Sequence, residues 1–289
     1  MPMSHALRML VALGSMLVVG AVEPSEQTQG NTSHPPTDAE ARALLKAICP
    51  AGIRTHHLGG ERLYVACRPC PRFTTRGGLS GAGSRDFFNL ETVIYGSFTA
   101  PGTREAIGGF DGCEDHATTA NFRSSVLLRK GPHGWRRIDY ERFETSKCRD
   151  YRLPSGRDVL LCQGFSGHPD GSGAWVFTYD FADPEGQNER YLLGVIDTWV
   201  ACGATAIVGS IDKVELRDLD HDGIPDVSIY ATVIEEKASG PQGVCAGDFS
   251  PPPGQTYQID FLFKQGKFVV EPWSAETKQA LDKTFKTGR

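Results

Sequence analysis

KVELRDLDHDGIPDVSIYATV, from Lys213 to Val233, holds two strand-like stretches on either side of one acidic loop. In the second stretch Val227, Ile229 and Ala231 alternate with Ser228 and Tyr230, the period-two pattern of a half-buried strand. Lys213 to Leu216 shows the same period. The loop between them, Asp218-Leu-Asp220-His-Asp222-Gly223-Ile-Pro-Asp226, is too short and too acidic for a helix.

The same period recurs on both sides of this stretch. Thr92–Phe98, Ser125–Leu128, Trp135–Tyr140, Val159–Cys162, Ala174–Tyr179, Tyr191–Ile196, Tyr257–Phe263 and Phe268–Val270 all read as strands. The pieces that join them (KGPHG, LPSGRD, GHPDGSG, FADPEGQ, KQGK) are rich in Gly and Pro. The chain has 33 glycines and 18 prolines among 289 residues, well above the ordinary share of about 12%. Many tight turns between short strands predict an all-β fold, a propeller-like or sandwich assembly. A faint three-fold pattern runs through REAIGGFDGC…SSVLLRKGPHGWRRIDYERF, GRDVLLCQGFSGHPDGSGAWVFTYDF and VELRDLDHDGIPDVSIYATV…TYQIDFLFKQGKFVVEP.

Two short helices bracket the strands. Thr37-Asp-Ala-Glu40 is a capping box, and Ala41, Leu44, Leu45 and Ile48 fall on one helical face, so a helix is expected over about 38–48. Near the C-terminus Ser274 is expected to cap AETKQALDKTFK, with Leu281 and Phe285 four apart on one side.

The first residues read as a targeting segment. Met9 to Val19 is an apolar run of 11 residues, too short for a bilayer, which needs about 20. Val19-Gly20-Ala21 supplies the small residues of a cleavage site. Residues 1–21 are therefore expected to be a signal peptide, 22–36 a flexible linker, and 37–289 a single β-rich domain. The expected location is secreted or periplasmic, with no membrane span after cleavage.

The eight cysteines, Cys49, Cys67, Cys70, Cys113, Cys148, Cys162, Cys202 and Cys245, fit an oxidising compartment. Cys148 and Cys162 flank a turn centred on Pro154-Ser155-Gly156, so a hairpin brings them opposite one another. A Cys202–Cys245 bridge would close a loop around the acidic stretch. The other four allow three pairings, which the sequence does not rank. Cys67-Arg-Pro-Cys70 has the CxxC spacing of zinc and redox motifs. It lacks a second close ligand pair, since His56 and His57 are poor candidates and Cys113 is distant.

Net charge is −5, from 30 Lys and Arg against 35 Asp and Glu. This is the wrong sign for a nucleic-acid binder, which needs a basic face.

The acidic loop carries the clearest chemistry. Oxygens at alternate positions with Gly at the sixth can wrap a hard cation at about 2.3–2.6 Å. Asp218, Asp220, Asp222 and Asp226 would supply carboxylates and Ile224 its carbonyl, around one Ca²⁺. An EF-hand is excluded. Its twelfth position would be Ile229, and strands, not helices, flank the loop. Strand, loop and strand together resemble the calcium loop of FG-GAP or VCBS-type repeats, the blades of integrin-like β-propellers. That resemblance covers about 207–234 in one clear copy and implies an exported, calcium-stabilised scaffold. Asp111-Gly-Cys-Glu-Asp115 and Pro169-Asp-Gly-Ser-Gly173 are degenerate counterparts.

Other motifs are weaker. Gly164-Phe-Ser166-Gly-His168 has His where a nucleophile elbow needs Gly, and Gly78-Leu-Ser80-Gly-Ala82 follows no strand. Asp115-His116 and His168-Asp170 could form an acid–base pair if they converged. Asn31-Thr-Ser33 is a glycosylation sequon in a eukaryotic source. The expected function is that of an exported binding or structural module with a protein or glycan partner. The alternative is an exported hydrolase with a dispersed active site.

Overall fold

The structure, a computed structural model, describes residues 31–49, 52–57, 63–68, 73–74, 80–81, 88–112, 124–141, 143, 145–168, 171–183, 188–197, 205–237 and 254–286. Helix α1 spans Asp38–Ile48. It is followed by β1 (Ile53–His57), β2 (Leu63–Cys67), β3 (Phe73–Thr74), β4 (Ser80–Gly81), β5 (Phe88–Gly96), β6 (Glu105–Gly112), β7 (Ser124–Gly131) and β8 (Gly134–Glu141). Then come β9 (Cys148–Arg152), β10 (Asp158–His168), β11 (Gly171–Tyr179), β12 (Glu189–Asp197), β13 (Thr205–Arg217), β14 (Asp226–Lys237), β15 (Gln255–Lys264), β16 (Lys267–Val270) and α2 (Pro272–Lys286).

Every strand pair is antiparallel, and the three large sheets share one design. Strands β5 to β8 run in sequence order within a six-stranded sheet that β1 and β2 extend. Strands β9 to β12 form a second sheet in sequence order, and β13 to β16 a third. The fold is therefore all-β, built on three successive four-stranded meanders with one short helix at each end of the described chain.

The sheets stack in series because the middle one is apolar on both faces. Leu160, Cys162, Phe177 and Tyr179 pack with Ile94, Ile107 and Leu127 of the first sheet and with Phe98 just after β5. Their neighbours Leu161 and Val176 point the other way, into a core shared with Val227, Ile229, Ile259 and Phe261 of the third. Successive side chains on a strand leave opposite faces, so the run Val159-Leu-Leu-Cys162 serves two cores at once. Helix α1 covers the outer face of the first sheet through Ala41, Leu44, Leu45 and Ile48. Its capping box is present, with Thr37 and Glu40 bonded reciprocally.

Helix α2 starts earlier than the sequence suggests. Pro272 opens it, since its φ is preset and its missing N–H is not needed there. Ser274 therefore lies inside the first turn, and its hydroxyl accepts the Asp260 N–H at 3.0 Å. Strands β10 and β11 are also longer than their apolar centres and pair as far as His168 and Gly171.

Part of the stretch read as a linker is tied down. The Ser33 N–H donates to the Cys148 carbonyl at 2.9 Å, and the Asp150 N–H to the Asn31 carbonyl at 3.0 Å. His34 and Val93 exchange both backbone bonds, at 2.8 and 3.0 Å. Residues 31–34 thus strap the first sheet to the second. The expected signal peptide and residues 22–30 of the linker lie outside the described residues.

Two disulfides lie among the described residues. Cys49 is bonded to Cys67, fastening the end of α1 to β2. Cys148 is bonded to Cys162, and the two are register partners in the β9–β10 hairpin. They fit folding in an oxidising compartment. Cys70, Cys113, Cys202 and Cys245 lie outside the described residues. Among the described residues no helix is long and apolar enough to cross a membrane.

Candidate metal centre

The acidic loop joins β13 to β14 at one end of the third sheet. Its base is held by packing. Ile224 belongs to an apolar cluster with Tyr151, Val159 and Phe263, and the Tyr151 hydroxyl donates to the Pro225 carbonyl. Gly223 (φ 83°) and His221 (φ 62°) take the left-handed backbone that lets the loop turn within a few residues.

Within this turn the carboxylates of Asp218, Asp220 and Asp222 converge, and a ligand oxygen from each lies within 4.8 Å of the others. Backbone amides hold them there. Asp218 accepts from the N–H groups of Asp222 (3.1 Å) and Gly223 (3.0 Å). Asp220 accepts from Asp222 N–H at 3.3 Å, and Asp222 from Ile224 N–H at 2.9 Å. Asp218 is half-buried, and the other two are exposed. The Ile224 amide, then the Lys264 ammonium, hold the Asp222 carboxyl below its usual range.

Asp226 stands apart from these three. It is buried at the start of β14, and its two oxygens accept the N–H groups of Leu219 (2.9 Å) and Phe263 (2.8 Å). Burial pushes its carboxyl up. Its visible work is to close the loop onto β15.

Lys264, at the end of β15, reaches the centre from outside the motif. Its Nζ donates to Asp220 and, at 3.1 Å, to Asp222. The two carboxylates raise its pKa in turn. The loop sequence gives no hint of this contact. The signal was in the register: with Val227 opposite Phe261, the end of β15 falls beside the loop.

Of the weaker sequence candidates, the backbone around Gly164 can be placed. Gly164 to His168 lies in a continuous antiparallel strand, not the strand-to-helix turn a nucleophile elbow needs. Asp115, His116 and Asp170, and the side chains of His56, His57, Ser166 and His168, lie outside the described residues.

The fold defines the class: an all-β chain of stacked antiparallel meanders with, among the described residues, one cluster of three carboxylates in a loop at a sheet end. Comparison with known proteins finds no matching family model, no matching curated protein and no matching solved structure.

Proposed function

We propose that this chain is an exported β-repeat protein that acts as a binding or structural module, and that loop 218–226 holds one Ca²⁺ which stabilises the fold. The carrying observation is the convergence of Asp218, Asp220 and Asp222 within 4.8 Å. Three carboxylates that close repel one another unless a cation intervenes, and Lys264 supplies a single positive charge. Ca²⁺ suits the loop better than Mg²⁺, because it accepts many oxygens in flexible geometry. The Ile224 carbonyl and Asp226 would complete the shell, Asp226 only by giving up an amide bond to Leu219 or Phe263. The resemblance to FG-GAP or VCBS calcium loops agrees with this reading, as does a third sheet that is itself a four-stranded meander.

A structural role follows from the surroundings. The loop is anchored by Tyr151 and Phe263, so a bound ion would fasten the second sheet to the third. Binding to the native state alone adds about 2.7 kcal/mol at a hundredfold excess over Kd. The test is thermal unfolding of the full chain. Calcium should raise the melting temperature, EDTA should lower it, and Asp220→Ala should remove most of the difference. A melting temperature indifferent to calcium and EDTA would overturn the proposal.

A further inference from the structure

A cavity of about 280 Å³ opens where the 31–34 strap, β9, β10 and β13 meet, away from the acidic loop. Among the described residues its polar lining comes from Thr32, Ser33, Ser146, Lys147, Arg149 and Gln163, and none of the lining side chains is acidic.

The charge in this cavity is one-sided. Arg149 crosses it to donate through Nη2 to the Val214 carbonyl at 2.7 Å. A guanidinium has five N–H donors, and this is the one bond seen for the Arg149 side chain among the described residues. Burial presses Arg149 toward its neutral form, and Glu215 is the charge that opposes this. Glu215 is already paired with Lys213 and Arg217. The exposed Lys147 ammonium has no ion pair among the described residues. Two cationic side chains, Arg149 and Lys147, therefore line a concave, donor-rich surface.

We propose that this cavity binds a compact anion, a carboxylate or a tetrahedral oxyanion, between Arg149 and Lys147. The remaining guanidinium N–H groups present a planar fork to the anion, and Lys147 adds a mobile point charge at the mouth. The volume lies near the lower limit for ligand sites, so it suits a small ion or one acidic group of a larger molecule. Thr32 and Ser33 form part of the wall, so a bound anion would also hold the strap in place. This site does not depend on the calcium reading.

The test is calorimetric titration of the full chain at constant ionic strength, with sulfate and succinate as separate probes. Saturable one-site binding is expected; a preference for sulfate marks a tetrahedral oxyanion site, and a preference for succinate a carboxylate site. Lys147→Ala, at an exposed position, should keep the melting temperature and weaken binding about tenfold. Arg149→Gln should lose binding. The proposal is overturned if neither anion binds saturably, or if Lys147→Ala binds as tightly as the unaltered chain.

Discussion

The ammonium of Lys264 is hydrogen-bonded to the carboxylate of Asp220, 44 positions earlier in the chain. A fixed cation thus sits where the proposed Ca²⁺ would draw on the same oxygens, and the two compete. Lys264→Met should raise calcium affinity several-fold and enlarge the calcium-induced rise in melting temperature. Without calcium the variant should melt lower, because three carboxylates lose their counter-charge. Calcium titrations followed by melting temperature decide it; identical calcium responses would mean that Lys264 does not share the site.

Asp150 gives a second prediction, this one in pH. It is 5% exposed, one oxygen accepts Asn31 Nδ2 at 3.1 Å, and the other has no hydrogen-bond partner among the described residues. Burial, then the neighbouring Asp158 charge, push its carboxyl up to about 6, against the partial relief of Asn31 and Arg152. A folded pKa above the unfolded one means that the native state binds the proton more tightly. Stability from this group therefore falls as pH rises from about 4 to about 6, by about 3 kcal/mol. Asp150→Asn should flatten that slope and be the more stable form at pH 7. Denaturant midpoints across this window provide the measurement, and parallel slopes would refute the assignment.

Gly209 sits where β13 meets β12 and α2. A β-carbon there would lie 2.6 Å from Phe285 Cζ and 2.7 Å from Val195 Cβ. Both neighbours are buried, so neither can move aside freely. Gly209→Ala should cost about 2 kcal/mol, read as a lower denaturant midpoint. A midpoint equal to the parent's would mean that this contact is loose.

The Cys148–Cys162 bond closes a span of 14 residues. Replacing both cysteines by Ala should cost about 3 kcal/mol. Non-reducing peptide mapping should recover the two cysteines in one linked pair, and a link from Cys148 to any other cysteine would refute it.

The parts of this fold that were legible share a cause. Val227, Ile229 and Ala231 advertise a strand because they alternate with the polar groups of Ser228 and Tyr230, and Ala41, Leu44, Leu45 and Ile48 advertise a helix because the opposite face of α1 is wet. The hairpin around Pro154-Ser155-Gly156 brings Cys148 opposite Cys162 by chain geometry alone. Strand β1 was not legible, because Ile53-Arg-Thr-His-His57 carries almost no apolar signal. The strap at Asn31 to His34 was hidden more deeply. Its backbone bonds are ones that any polar sequence can make, and the bonds of the Asn31 and Ser33 side chains depend on partners far along the chain, so NTSH reads as linker. At the candidate metal centre the motif itself was plain. Lys264 and Tyr151 were not, since their places depend on how strands and sheets pair.

That strap has a consequence for self-association. Strand β9 is an edge of its sheet, and Val93 lies where β2 no longer pairs with β5. Residues 31–34 occupy both borders at once. Peeled away, they would expose the Val93 and Asp150 amides and the Cys148 carbonyl as a template for a strand from another copy. The four residues from Asn31 to His34 therefore act as a guard against polymerisation, shielding two sheets that cannot shield themselves.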